Sequence, residues 1–348
     1  MLSKNYKKKI KVFVTGAGCA IGQAIIKSLN ISKLKINISV GDISQISLEI
    51  YNKNKFLIPK VEKKKSLKWY LKFFKLNKFD IIFIGSEYEI EFFSKHKVEI
   101  EKKTGTLICI SHFDTIKLFN DKLSTIKFLK KNNFNYPKTL DIKNKVLKNK
   151  DIKLKYPLYL KNTKGTSSRN VFLVKNLYEL KEKSKLIQNP IIQENLGKKY
   201  DPFCFHDEYT CSLFYGKNGE LIGPFLSERI LKHGTSWAVR SIKNRTLKNL
   251  IIKLGKNLRG IGSINFQLKK HKNKFYIFEI NPRFSGTTYI RAILGFNEPE
   301  LFVKNYFLNQ KLININYRKG NSYRYFDDIV KLNNRRILKK NLKHSNWC

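Results

Sequence analysis

Short apolar runs alternate with longer amphipathic stretches through the first third of the chain. Ile10 to Thr15 reads as a strand, residues 20–29 as a helix, and Asn37 to Asp42 as a second strand. Between 66 and 76, Leu67, Tyr70, Leu71 and Phe74 recur at helical spacing and make one apolar face. Asp80 to Ile84 is a buried strand, Glu87 to Lys103 a helix, and Thr106 to Ile110 another strand. Such alternation predicts an open parallel α/β sheet of Rossmann-like type, ending near residue 113.

The texture then changes. A helix over 120–132 stops before Tyr136-Pro137, and a Lys/Asn-rich connection spans 141–155. Strands follow at Pro157 to Lys161, Asn170 to Val174 and Pro190 to Glu194, and Tyr209 to Tyr215 pairs with Leu221 to Leu226 through the turn Lys217-Asn218-Gly219. Residues 245–258 read as helix, Ser263 to Lys269 and Phe275 to Ile280 as strands, and 287–294 as helix. An antiparallel-rich α+β region is expected behind the open sheet, with no internal repeat.

Charge raises a question that the pattern does not. The 348 residues carry 70 Lys and Arg against 26 Asp and Glu, a formal net charge of +44. That surplus makes a basic nucleic-acid-binding protein an alternative, but such a face gathers its cations on one surface with aromatics between them. Here lysines run through every segment, in short groups such as Lys7 to Lys9, Lys63 to Lys65 and Lys339-Lys340, which reads as a uniform compositional bias. A hydrophobic fraction of 42%, with 25 Phe and 17 Tyr, is enough for a sizeable core and excludes wholesale disorder.

No apolar stretch approaches the roughly 18 residues of a membrane span. The basic N-terminus leads directly into a strand and not into a signal-peptide apolar region, so no membrane partner and a cytoplasmic location are expected. Cys19, Cys109, Cys204, Cys211 and Cys348 are odd in number and far apart, which fits reduced thiols and not a disulfide framework or zinc cluster. His206, between Cys204 and Cys211, belongs to the same ordinary reading.

Two motifs carry chemistry. Gly16-Ala17-Gly18-Cys19-Ala20-Ile21-Gly22 follows a strand and opens a helix, with Asp42 at the end of the next strand. This is the context of a dinucleotide fingerprint, although the spacing is G-x-G-x-x-x-G, and it keeps an NAD(P)-dependent epimerase or reductase as a further alternative. Such enzymes also need a Tyr-x-x-x-Lys pair on a later helix, and Tyr51 to Lys55 falls too early.

The stronger motif lies in the C-terminal third. Glu279 and Asn281, two apart on a strand, share a face, and Gln267 on the neighbouring hairpin strand can join them. Three oxygen donors around one point suit a hard cation such as magnesium that also holds nucleotide phosphates. Arg283, two further along, would aim a planar cation at the same phosphates or at an oxyanion. Glu279 is also an acid placed inside the apolar run 275–278 of an acid-poor chain.

These residues resemble the ATP-grasp superfamily, specifically its carbamoyl-phosphate-synthetase-like ligases, and the resemblance runs in order along nearly the whole chain. Gln267 with Glu279-Ile280-Asn281-Pro282-Arg283 is similar to the family's metal-binding strands. Asp121-Lys122 resembles the lysine entering the nucleotide cleft, and Pro157 to Lys161 the strand whose final lysine meets the phosphates. Lys164-Gly165-Thr166-Ser167-Ser168-Arg169 is similar to the phosphate loop, which the resemblance makes a lid. Gln193-Glu194-Asn195-Leu196 resembles the adenine hinge, Glu208-Tyr209-Thr210 the ribose strand, and His233 to Ser236 the segment closing over it. The chain departs from the pattern at Asn162, often proline there, and at Asn170, often glycine. It holds one such unit and no amidotransferase nucleophile motif.

The resemblance implies an N-terminal pre-ATP-grasp domain (1–113), whose glycine turn serves the acceptor and not nicotinamide. After it come a small ATP-grasp subdomain (114–190), a catalytic subdomain (191–310) and a C-terminal extension (311–348). It implies ATP with magnesium, or manganese, held by Gln267, Glu279 and Asn281. ATP would be bound by Lys122, Lys161, Gly165, Ser167, Ser168, Arg169, Glu194, Leu196, Glu208 and His233, with Lys161 and Arg283 as the catalytic cations. The implied reaction joins a small-molecule carboxylate to an amine through an acyl phosphate. The acid, the amine and any homo-oligomer are left open.

Overall fold

The structure is a computed structural model that describes residues 9–143, 148, 152–165, 170–197, 205, 207–232, 234–313, 315–325, 331–332 and 335–336. It opens with β1 (Ile10–Val14), α1 (Ala20–Asn30), β2 (Ile36–Asp42), α2 (Gln45–Leu48) and β3 (Lys55–Leu57). Then come α3 (Lys63–Asn77), β4 (Ile81–Phe83), α4 (Ile90–Thr104), β5 (Leu107–Cys109) and α5 (Phe113–Phe119). The strands form one parallel sheet in the order β3-β2-β1-β4-β5. β1 is apolar on both faces because both are covered: Val12 and Val14 pack with Ile21, Ile25 and Leu29 of α1. Phe13 packs on the other side with Tyr70, Phe74 and Phe93.

The next part holds α6 (Lys122–Lys131), β6 (Thr139–Asp141), β7 (Leu158–Asn162), β8 (Phe172–Val174), α7 (Leu177–Ser184) and β9 (Pro190–Glu194). Its four-stranded antiparallel sheet has the order β6-β9-β7-β8. Side chains start both helices: Asp121 accepts from Ser124 N at 2.7 Å and Asn176 from Glu179 N at 2.9 Å.

The third part contains β10 (Glu208–Tyr215), β11 (Leu221–Lys232), β12 (Thr235–Ser241), α8 (Arg245–Lys256), β13 (Gly262–His271) and β14 (Lys274–Asn281). α9 (Thr288–Ile293), α10 (Glu298–Phe302) and β15 (Asn321–Tyr323) complete it. Its six-stranded antiparallel sheet is ordered β14-β13-β10-β11-β12-β15. α8 buries Leu247, Ile251 and Leu254, spaced one helical turn apart, in the core beside β10 and β13.

Several elements depart from the sequence expectation. β11 runs to Lys232, well past Leu226, and its polar end is held by pairing with β12, which no apolar run announces. β15 lies in the stretch expected as an extension, yet it pairs with β12 as the sheet's edge. α2, α5 and α7 are short and were not anticipated. The parallel sheet and the six-stranded antiparallel sheet share one continuous core, in which Phe83 meets Phe284 at 5.7 Å and Phe302 at 5.6 Å. That shared packing holds the parallel sheet's glycine turn near the six-stranded sheet.

Candidate active site

The hairpin of β13 and β14 sets Gln267 opposite Glu279 and Asn265 opposite Asn281, with an irregularity just after Gln267. Asn281 donates its amide nitrogen to Glu279 Oε1 at 3.0 Å, which leaves its oxygen as the atom for a cation. The donor set is therefore one carboxylate and two amide oxygens, which suits a hard cation that shares its shell with phosphate oxygens. Among the described residues no group of three or more His, Cys, Asp or Glu is arranged as a metal cage.

A cleft of about 190 Å³ lies beside this face. Lys122, Lys161, Gly165, Glu194, Leu196, Glu208, Gln267 and Glu279 all line it. Lys161 stands at the end of β7, with its ammonium 2.7 Å from Gln193 Oε1 and over the rings of Tyr159 and Phe278 at 5.3 and 5.5 Å. Burial first and the Lys122 charge second lower its pKa to about 8, while Glu279 and Glu208 pull the other way. Lys122 opens α6, and its ammonium donates to the Gly165 carbonyl at 2.9 Å.

Other expected residues already have partners. Glu194 accepts from the Lys138 backbone N–H at 2.6 Å, and the Leu196 carbonyl meets His271 Nδ1 at 2.9 Å. Glu208 Oε1 accepts from Arg229 through Nε at 3.0 Å and Nη2 at 2.8 Å. The same Nη2 reaches Gln267 Oε1 at 2.7 Å, so Arg229 ties Glu208 of β10 to Gln267 of β13. Ser167, Ser168, Arg169 and His233 lie outside the described residues, as do Cys204, His206 and Cys348.

A second cleft, of about 330 Å³, lies on the other side of Gln267 and Glu279. It is bounded by α1, the β4–α4 connection, β12 and the turn after β14. Arg229, Leu231, Gln267 and Glu279 line both clefts and form their common wall. Arg283 lines the second cleft and not the first, paired with Glu87 and donating to the Phe284 carbonyl at 2.9 Å. Beneath the wall lies an ion pair removed from water: Arg291 and Glu298, both fully buried, are 3.2 Å apart. Arg291 also donates to Asn265, and Glu298 accepts from Ser212 and Ser263. The sequence does not single out Arg229, whose partners are 21 and 38 residues away, or Arg291 and Glu298, which are seven apart but read locally as surface charges because their burial comes from tertiary packing.

The glycine turn is closed by its own protein. A Cβ on Gly22 would stand 2.1 Å from the Gly16 carbonyl oxygen, and one on Gly18 would stand 2.5 Å from Ser47. Asp42 accepts from Gly18 N at 2.8 Å and Ser44 N at 2.9 Å. Gly18 and Gly22 thus serve close packing within the protein.

Comparison with known proteins agrees with this geometry. Residues 230–328 match a family described as ATP-grasp in the biosynthetic pathway with Ter operon. Carbamoyl-phosphate synthase of Methanobrevibacter smithii is 23% identical over 211 residues, covering 59% of this chain and 57% of that protein. Coenzyme gamma-F420-2:alpha-L-glutamate ligase of Methanocaldococcus jannaschii is 29% identical over 119 residues, 33% of this chain and 40% of that protein. The chain thus spans 57% or less of the length of these two curated relatives. The ADP complex of N5-carboxyaminoimidazole synthetase from Staphylococcus aureus superposes with a TM-score of 0.66 at 20% identity, over 89% of this chain and 81% of that one. The family match falls on the strands that bear Gln267, Glu279 and Asn281, so residues 230–328 are similar to the ATP-grasp family, beside an open parallel sheet.

Proposed function

We propose that this protein is an ATP-dependent carboxylate–amine ligase. The shared wall carries the reading: Glu279 and Gln267 face the two lysines in one cleft and Arg283 in the other. ATP in the first cleft brings its γ-phosphoryl group to that wall, and a carboxylate in the second attacks it. A carboxylate oxygen bonds to the γ-phosphorus as the bond to ADP breaks, giving an acyl phosphate and ADP. An amine then attacks the acyl carbon, phosphate leaves with the C–O electron pair, and the nitrogen loses a proton to give the amide.

Such a reaction needs positioning and charge neutralisation more than a nucleophile or base triad. Magnesium, or manganese, would be held by Gln267, Glu279 and Asn281, where it neutralises phosphate charge. Lys161 and Lys122 meet the phosphates, and Arg283 stabilises the oxyanion of the amide-forming step. Burial of Lys161 strengthens its pull on an anion, because little water competes there.

The test is ADP release with magnesium over panels of carboxylic acids and amines, beside Glu279→Ala. The expected outcome is acid-dependent ADP formation that falls about 1000-fold or more in the variant. ADP formation that no acid elicits, or that the variant retains in full, would refute the assignment.

A further inference from the structure

The ion pair under the second cleft has no part in the proposed chemistry. Arg291 of α9 and Glu298 of α10 are fully buried and 3.2 Å apart. Two charges taken that far from water are costly, and well-packed apolar residues in their place are often neutral or stabilising. Arg291 Nε is also buried with no hydrogen-bond partner among the described residues, which adds to the cost. A pair kept on such terms is explained better by what it holds in place than by stability.

Glu298 is tied to the sheet, where its Oε1 accepts from Ser263 Oγ at 2.6 Å and from Ser212 Oγ. Arg291, fixed by Glu298, sends Nη2 to Asn265 Oδ1, and the Thr210 hydroxyl donates to the same oxygen at 2.9 Å. A guanidinium only donates, so the Asn265 atom that it meets is the oxygen, and the amide cannot turn over. Asn265 is 1% exposed and lines the second cleft, two residues before Gln267 on β13 and opposite Asn281. Its side chain therefore shares a face of the sheet with Gln267. With the oxygen end taken, the NH2 group is the end that Asn265 offers to the cleft, which Glu279 and Arg283 also line.

We infer that Arg291, held by Glu298, is a positioning residue that fixes the Asn265 amide with its NH2 group toward the second cleft, where that group donates to an oxygen of the reacting carboxylate. Without the pair, Thr210 alone would hold the amide. A hydroxyl accepts as readily as it donates, so the amide would be free to present its oxygen and repel the same carboxylate. The donor role of Asn265 rests on the ligase reading, whereas the orientation of its amide does not.

Two changes test this separately and together. Asn265→Ala removes the donor, and Arg291→Met together with Glu298→Gln removes the pair without stranding one charge. In the acid-dependent ADP-release assay each lowers kcat/KM for the acid about 10–100-fold, with KM for ATP unchanged. The triple variant loses no more than Asn265→Ala alone, because the pair acts through that amide. Losses that multiply in the triple variant, or an Asn265→Ala variant with full kcat/KM, overturn the inference. A second readout needs no turnover. In protein isotope-labelled at asparagine, the side-chain amide resonance that is absent from Asn265→Ala shifts when acetate is added to wild type and stays in place in the variant without the pair. If no acid elicits ADP, the ligase reading fails and this shift decides alone. Its presence then leaves the fixed amide and its anion contact standing, and its absence overturns them as well.

Discussion

Two glycine-bearing turns stand on opposite sides of Gln267 and Glu279, and they use glycine for different reasons. In the turn from Gly16 to Gly22 the missing Cβ makes room for the protein's own backbone: Gly22 lies against the Gly16 carbonyl, and a Cβ on Gly85 would stand 2.2 Å from the Thr15 carbonyl. At Gly165 the reverse holds. No atom of the described residues lies within 4 Å of where its Cβ would be, and its φ is +120°, a conformation that L side chains rarely adopt. One turn is filled and aims a helix, whereas the other is open and holds a lysine by its carbonyl. Glycine in a sequence announces a close approach, and only the surroundings say what approaches.

The largest effect that would break this contrast is Gly22→Val. Its branches meet backbone that cannot yield, so unfolding by urea should show a loss of about 4 kcal/mol or more. A loss below about 1 kcal/mol would mean that the first turn is not filled. Next in size is Lys161→Met, which keeps the buried stem and removes the cation beside the open turn. We expect kcat/KM for ATP to fall about 100-fold, or about 2.7 kcal/mol, with native stability retained.

Lys161 also sharpens the contrast through pH. Its pKa is lowered from 10.5 to about 8, so the native state gives up this proton before the unfolded chain does. The penalty of the buried charge is present below pH 8, and stability from this group rises between pH 8 and 10.5. Nucleotide affinity runs the other way, since phosphates need the ammonium: KM for ATP should rise above pH 8, in step with loss of this proton. A KM that stays flat to pH 9.5 would remove Lys161 from the phosphate site.

Behind the filled turn, Glu89 accepts from Thr15 Oγ1 at 2.5 Å, and burial pushes its pKa up from 4.5 to about 7 against that hydrogen bond. Stability from the protonated form is full below pH 4.5 and lost as pH rises through 7. Glu89→Gln keeps the neutral form, so the variant should be about 1–3 kcal/mol more stable than wild type at pH 8 and little changed at pH 4.5, by urea unfolding. Gly165→Ala is the smallest change: about 0.5–1 kcal/mol in stability, with a several-fold rise in KM for ATP.

The pairing of Glu279 and Asn281 with the strand of Gln267 was legible in the sequence because its information is local. Glu279 and Asn281 are two residues apart on a strand, and a hairpin brings Gln267 opposite. Lys161 was legible only by its order relative to that motif, since one lysine among so many says nothing alone. Arg229 was not legible, because its partners Glu208 and Gln267 sit 21 and 38 residues away. Arg291 was hidden for another reason: its partner Glu298 is only seven residues away, but the burial of the pair comes from tertiary packing that no pattern near residue 291 encodes.

By itself, then, the sequence determined the alternating α/β start, the antiparallel hairpins and the acid-and-amide face, all of which depend on side-chain periods of two or about 3.6 residues. Tertiary structure decided which glycine turn is closed, which cleft Arg283 enters and which distant acid Arg229 meets. Those outcomes depend on free volume and on pairing between distant segments, and neither is written in the spacing of residues along a chain.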